Sequence, residues 1–191
     1  MLQLPYQIVL ASGSPRRQEL LKQLDLNFSI RLKEVEESYP NHLDVADIAE
    51  YLARKKAHAH QLESEDELLI TADTLVVLKN EVLGKPADAA EAFELLRRQS
   101  GRPQWVYTGI CLRSSESEKA FTVGTEVHFN HLTDEEIKYY IEHYKPYDKA
   151  GGYGIQEWLG SIAIARINGS YTNVMGLPTE ALYNALKSYE L

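Results

Sequence analysis

At 191 residues the chain has the length of one ordinary domain, or of two small lobes sharing a core, and 44% hydrophobic with 25% charged residues is the balance of a folded, water-facing protein. A net charge of −8 argues against a nucleic-acid-binding surface, and a lone cysteine, Cys111, excludes an internal disulfide and a cysteine zinc cluster. No apolar run approaches the roughly 20 residues of a membrane helix. Residues 1–5 hold no basic region and no long apolar segment, so neither a membrane span nor a signal peptide is expected, and the cytoplasm is the expected compartment. The first apolar run, Ile8-Val9-Leu10-Ala11, suits a buried strand. It passes through Ser12-Gly13 to a helix start, where Ser14 is placed to cap and Pro15 fits the first position, which needs no N–H. Strand, small turn and helix N-terminus form a generic anion site. Arg16 and Arg17 lie in that first turn, where the helix dipole disfavours cations. Either they answer something negative, or they point to water or to carboxylates elsewhere.

Residues 28–32 alternate as a strand does, and an acidic cluster at residues 34–37 follows, which alone reads as a solvated loop. Asp44 begins a helix whose apolar side is Val45, Ile48, Ala49, Leu52 and Ala53. Lys56 returns to the Val45/Leu52 meridian, with Lys55 at its edge, so Lys56 either snorkels over the core or projects into a cleft at the helix end. Residues 68–78 give the strongest strand signal, apolar on both faces as in a central strand. Asp73 interrupts it. A buried carboxylate must be hydrogen-bonded, cation-paired or metal-bound, so Asp73 is either a structural group, satisfied by the backbone, Thr71 or Thr74, or a functional one. After a turn at residues 79–81, Lys85 sits between Gly84 and Pro86. Asp88 caps a helix with Glu91 at capping-box spacing, and Gly101 ends it.

Residues 105–112 and 120–129 read as two paired strands joined by a polar loop. Cys111 lies inside the first as a small core residue. Thr133 and Glu136 form a second capping box, opening a helix with Ile137, Tyr140, Ile141 and Tyr144 inward; Tyr139, Tyr140 and Tyr144 either mark a homodimer surface or thicken the core. Asp148-Lys149-Ala150-Gly151-Gly152-Tyr153-Gly154-Ile155-Gln156 is either a flexible surface loop or a shaped one that admits a ligand close to its backbone. Residues 162–167 read as a strand, residues 168–173 as a polar turn, and Gly176-Leu177-Pro178 leads to the closing helix. The six histidines lack metal-ligand spacing, and zinc is not expected.

Taken together, Ala11-Ser12-Gly13-Ser14-Pro15-Arg16-Arg17, Ala72-Asp73-Thr74, Leu83-Gly84-Lys85-Pro86, Tyr107-Thr108-Gly109, the glycine loop to Gln156, and Gly169-Ser170-Tyr171-Thr172-Asn173-Val174-Met175-Gly176-Leu177-Pro178 resemble the Maf family of nucleoside triphosphate pyrophosphatases. The blocks stand in the family's order and span most of the chain. The resemblance implies a mixed α/β fold of the inosine-triphosphatase type, a single domain over residues 1–191 with a curved mixed sheet, flanking helices and two lobes around a central cleft. It implies Mg2+- or Mn2+-dependent hydrolysis between the α and β phosphates of a nucleoside triphosphate; the charge and the short apolar runs already set the expectation of no nucleic-acid and no membrane partner. Arg16, Thr74 and Gln156 match the positions used for base selection in the dTTP/UTP type. Asp73 matches the catalytic acid–base position, Ser12, Arg16, Lys56 and Lys85 the phosphate positions, and Asp73 with Glu37 the metal position; Glu36 is the substitute for Glu37. The stretch Glu157-Trp158-Leu159-Gly160 departs from the family's glycine-rich continuation, and Trp158 is placed to reshape or cap the base pocket. A nucleotide-sensing, non-enzymatic regulator of septum formation is the alternative function.

Overall fold

The computed structural model describes residues 2–190. They fall into two compact units. One takes the described residues up to Asp73, Thr108–Val123 and those from Gly176 onward; the other takes Thr74–Tyr107 and Gly124–Met175.

In the first unit, strand β1 (Gln7–Leu10) lies parallel to β2 (Phe28–Ile30) on one side and to the opening residues of β3 (Glu67–Leu78) on the other, with Ile8 opposite both Phe28 and Leu68. Parallel neighbours need long crossovers, and helices α1 (Pro15–Lys22) and α2 (Val45–Ala59) lie within them. Every residue of β3 is buried except Thr74, as a strand apolar on both faces requires, and the burial takes in Glu67, Thr71 and Asp73. Ile48, Ala49, Leu52, Ala53 and Ala57 give α2 its buried face. Val9, Ala53, Ala57, Leu69 and Cys111 close one apolar cluster. Contact is tightest at Gly109, where an added Cβ would lie 2.1 Å from the carbonyl oxygen of Ala49.

In the second unit the far end of β3 turns into β4 (Glu81–Leu83), with Val76 opposite Leu83. Lys79 and Asn80 both have positive φ, 51° and 65°, the signature of a type I′ hairpin turn. Helices α3 (Ala89–Gln99) and α4 (Asp134–Tyr144) cover a core that includes Val76, Leu96, Val106, Val127, Ile137 and Tyr140. The Thr133/Glu136 capping box is present. Asp88 accepts from the Glu91 N–H, but Glu91 reaches back to the N–H of Ala87.

Strands β5 (Pro103–Arg113) and β6 (Glu118–Phe129), like β3, contribute residues to both units, and β7 (Ile164–Asn168) pairs antiparallel with β6. The strand order by pairing is β2-β1-β3-β5-β6-β7, with β4 added to β3, a mixed α/β sheet with helices as expected. Three expectations need correction. Ile162 and Ala163 belong to helix α5 (Trp158–Ala163), because Leu159 and Ala163, four residues apart, share a buried face; the strand starts only at Ile164. The polar turn contains a short helix, α6 (Tyr171–Met175), whose Asn173 is buried and donates to Val106 O and Thr125 Oγ1. Tyr144, at the last turn of α4, is 37% exposed, while Tyr140 is wholly buried and Tyr139 is 45% exposed. The closing helix, α7 (Thr179–Leu186), forms as expected.

Candidate active site

The start of α1 is built as its sequence demands. Ser14 is the N-cap, its Oγ accepting the Arg17 N–H at 3.5 Å, and Pro15 opens the helix. Ser12, buried, accepts from the Ser14 N–H at 3.3 Å and from Arg17 Nη1 at 3.4 Å. The Arg17 guanidinium also donates through Nη1 to Ala72 O and through Nε to Gly176 O, each at 2.8 Å. One side chain therefore fastens the turn after β1, the residue before Asp73 and the segment after α6. Burial lowers the pKa of Arg17 from its ordinary value, and the repulsion of Arg16 adds to this; Asp73 and Glu37 act in the opposite sense. Arg16, half-buried, precedes it in the same turn.

Asp73 is 5% exposed. Thr71, offered by sequence as its partner, instead donates to Ala53 O at 2.7 Å and ties β3 to α2. The partner of Asp73 is Lys56: Nζ lies 2.5 Å from Asp73 Oδ1 and 2.7 Å from Glu37 Oε1. Lys56 thus turns inward to a carboxylate rather than snorkelling over the core. Burial pushes the Asp73 carboxyl above its ordinary range, against the charge and hydrogen bond of Lys56 and the charge of Arg17. The segment after β2 is brought here by the neighbouring lysine, since Lys55 Nζ donates to Ser38 O at 2.9 Å and Ser38 Oγ at 2.8 Å. That anchor selects Glu37, not Glu36, as the carboxylate beside Asp73.

The remaining sequence candidates lie in the second unit. Thr74, half-buried, follows Asp73 on β3, and Lys85 is exposed in the turn after β4. That turn is tied to the glycine loop, whose Gly151 N–H donates to Gly84 O at 3.0 Å. Gly151 and Gly152 have φ of 67° and 73°, so the loop is shaped rather than loose, and Gln99 Nε2 holds Gly151 O at 2.7 Å. Gln156 is exposed at the loop's far end. Trp158 packs against Tyr139 of α4, ring centroids 4.8 Å apart, and against the apolar core. Cys111 is wholly buried and its thiol is pushed up to about 12, which removes it as a nucleophile. Sequence reasoning missed the Arg17 clamp, the Lys55 anchor and the buried amides of Gln99 and Gln104. The only available signal was the unfavourable place of Arg17 at a helix start.

Two carboxylates converging on one cation, both hard oxygen donors, fit Mg2+ or Mn2+. Among the described residues no group of three or more His, Cys, Asp or Glu is placed to hold a metal ion.

The chain matches the family described as Maf-like protein over residues 7–189. A protein of Flavobacterium psychrophilum named dTTP/UTP pyrophosphatase is 52% identical over 92% of this chain and 91% of its own length. One of the same name from Bacteroides thetaiotaomicron is 50% identical over 95% of each chain. A distant likeness is to the Ham1 protein of Staphylococcus aureus, at 14% identity and a TM-score of 0.48 over 64% of this chain and 71% of that one. With the family matched from β1 to beyond α7, and two relatives at half identity over nearly their whole length, the chain belongs to the Maf-like protein family.

Proposed function

We propose that this protein is a nucleoside triphosphate pyrophosphatase that hydrolyses dTTP and UTP to the monophosphate and pyrophosphate. The observation that carries the reading is Asp73, a buried carboxylate on a central strand, held 2.5 Å from Lys56 with Glu37 on the same ammonium. A site built for stability alone gains little from such a group, because burying charges costs about as much as their pairing returns. The names of the relatives give the same reaction and substrates for those proteins.

In this reading Ser12, Arg16, Lys56 and Lys85 bind the triphosphate, with the backbone N–H groups at the start of α1 adding donors. Arg17 holds the residue before Asp73 in place. Asp73, made more basic by burial, takes the proton from the attacking water as its oxygen bonds to the α phosphorus and the α–β anhydride breaks. Glu37 and Asp73 would hold a Mg2+ or Mn2+ ion, which supplies neutralisation of phosphate charge when bound. Positioning and charge stabilisation carry most of the rate in phosphoryl chemistry, and no covalent nucleophile is needed. Arg16, Thr74 and Gln156 select the base.

The test is pyrophosphate release from dTTP, UTP, CTP, ATP and GTP, with Mg2+ or Mn2+ and with chelator. Fastest release from dTTP and UTP, lost with chelator, is expected; no release from any nucleotide overturns the reading. Binding without release would favour a nucleotide-sensing role. In Gln156→Ala the ranking of kcat/KM among dTTP, UTP and CTP should change more than the reaction itself, and an unchanged ranking removes Gln156 from base selection.

A further inference from the structure

Tyr140 has no exposed surface, yet its hydroxyl is bonded on both sides. It donates to Glu157 Oε2 and accepts the Gly154 N–H at 3.0 Å. The other oxygen of Glu157 lies 3.2 Å from Lys149 Nζ, and that ammonium is 2.8 Å from Asp148 Oδ1. Lys149 is only 8% exposed. A phenol, a carboxylate and an ammonium taken together from water cost desolvation, which is offset only when each is bonded, so the three act as a unit. Burial, and the Glu157 carboxylate after it, hold the Tyr140 phenol protonated well beyond its ordinary range, which keeps it a donor at any working pH.

These bonds bracket the stretch that carries Gln156. An added Cβ on Gly154 would lie 2.8 Å from Glu157 Cδ and 3.0 Å from Gln156 Nε2, so the amide of Gln156 rests over the backbone that Tyr140 fastens. Two buried amides fix the loop upstream: Gln99 Nε2 on Gly151 O at 2.7 Å, and Gln104 Nε2 on Tyr153 OH at 2.9 Å. The short arc from Gly154 to Glu157 follows, with the Glu157 N–H donating to Gly154 O at 3.0 Å, and the Tyr140 and Glu157 side chains brace it.

We propose that Lys149, Glu157 and Tyr140 are positioning residues that hold the Gly154 backbone, and through it the Gln156 amide, in one orientation, and so set discrimination among pyrimidine nucleotides. The proposal rests on the reading of Gln156 as a base-selecting residue. Discrimination by hydrogen bonds to a base edge depends on donors and acceptors fixed in place, whereas the proton and phosphate chemistry belongs to other side chains. Loosening the arc should therefore reach specificity before turnover. Glu157 and Trp158 divide two jobs here: the carboxylate braces the loop, and the indole packs on α4.

The experiment measures kcat and KM for dTTP, UTP and CTP in wild type, Tyr140→Phe, Glu157→Gln and a core control, Ile137→Val, with melting curves for each. In the first two variants the ratio of kcat/KM for dTTP over CTP should fall roughly fivefold to tenfold, the loss expected for one disturbed hydrogen bond, carried mainly by KM, with kcat for dTTP within about twofold. The control should lower Tm and leave the ratio unchanged. Hydrogen exchange at 10 °C should show faster exchange at residues 153–157 in Tyr140→Phe. Folded variants with the wild-type ratio, equal loss of kcat on all substrates, unchanged exchange, or a ratio moved as far by the control would each overturn the proposal. Failure of the underlying reading is distinct: it shows as no pyrophosphate release by wild type, or as an unchanged ranking in Gln156→Ala.

Discussion

Asp73→Asn separates catalysis from stability in one substitution. The carboxylate is 5% exposed and bonded to Lys56 at 2.5 Å. Asparagine keeps the shape and an oxygen that accepts from Lys56, so what is lost is the charged part of a hydrogen bond worth about 1.5–3 kcal/mol. What is gained is relief from burying a carboxylate, a cost of similar size in a folded protein. Lys56 keeps a counter-charge in Glu37. The net change should lie within about 2 kcal/mol of zero, which for a chain of this length is a Tm shift of no more than about 4–8 °C. Turnover, by contrast, loses the acid–base group in the proposed reading and should fall at least ~100-fold. The assay is pyrophosphate release against dTTP alongside a melting curve. Turnover within tenfold of wild type would refute the role, and a Tm lowered by much more than about 8 °C would refute the accounting. The pH dependence gives a second check. Because burial raises the Asp73 pKa from 3.8, the folded chain holds that proton more tightly than the unfolded chain. Its contribution to stability is full below about pH 3.8 and is lost as pH rises through the raised value. The asparagine variant lacks this titration, so its stability relative to wild type should climb as pH rises from about 3.8 through the raised value.

Arg17→Lys keeps the charge but cannot span Ala72 O, Gly176 O and Ser12 Oγ with one ammonium; a loss of about 2–4 kcal/mol in chemical unfolding is expected, and an unchanged midpoint would show that the clamp is idle. Cys111, with its thiol raised to about 12 and no exposed surface, should react with iodoacetamide at pH 8 at least ~100-fold more slowly than in the denatured chain; equal rates by mass spectrometry would contradict its burial. Gly109→Ala places a methyl 2.1 Å from a helix carbonyl that has no flexible end to move aside; a penalty above about 3 kcal/mol is expected, and a wild-type melting curve would show that α2 does not lie so close.

The legible parts of the fold are those whose signal is local. The length and apolar content of β3, the Thr133/Glu136 box and the Ser14-Pro15 start each depend on residues within a few positions of one another. The boundary between α5 and β7 was not legible, because Ile162-Ala163-Ile164-Ala165 alternates as a strand does. Burial of Leu159 and Ala163 against a core drawn from distant segments decides for helix up to Ala163. Helix α6 escaped for a similar reason: Asn173 bonds Val106 O, 67 residues away. In the site, Asp73 announced itself as a charge in an apolar run, and Lys56 by its place on a helix meridian. Glu37 could not be told from Glu36, since an irregular segment has no periodicity to point either one inward; the Lys55–Ser38 bonds make the choice. Arg17 stood out by its place at a helix start, but its partners were illegible because they are mostly backbone carbonyls, which carry no sequence signature.

The charges that looked misplaced in sequence, the arginine pair and Asp73, prove different in kind once their partners are known. The bonds of Arg17 run to protein atoms in three segments, and none of those atoms has reason to let go; burial already lowers its pKa, so it serves as a fixed strut. Lys56 is bonded to two carboxylates, one buried and one 47% exposed. An ammonium between two carboxylates is a local balance of charge that exchange would preserve in the proposed reading: the ammonium would turn to a phosphate, and Glu37 and Asp73 would be the oxygens left to hold a divalent cation. Water already reaches the Glu37 side, so the exchange needs no opening of the core. The same physical cost, charge held away from water, thus serves a frame at Arg17 and, in the proposed reading, an exchangeable site at Lys56. The difference lies in whether the partners are backbone or ionised side chains.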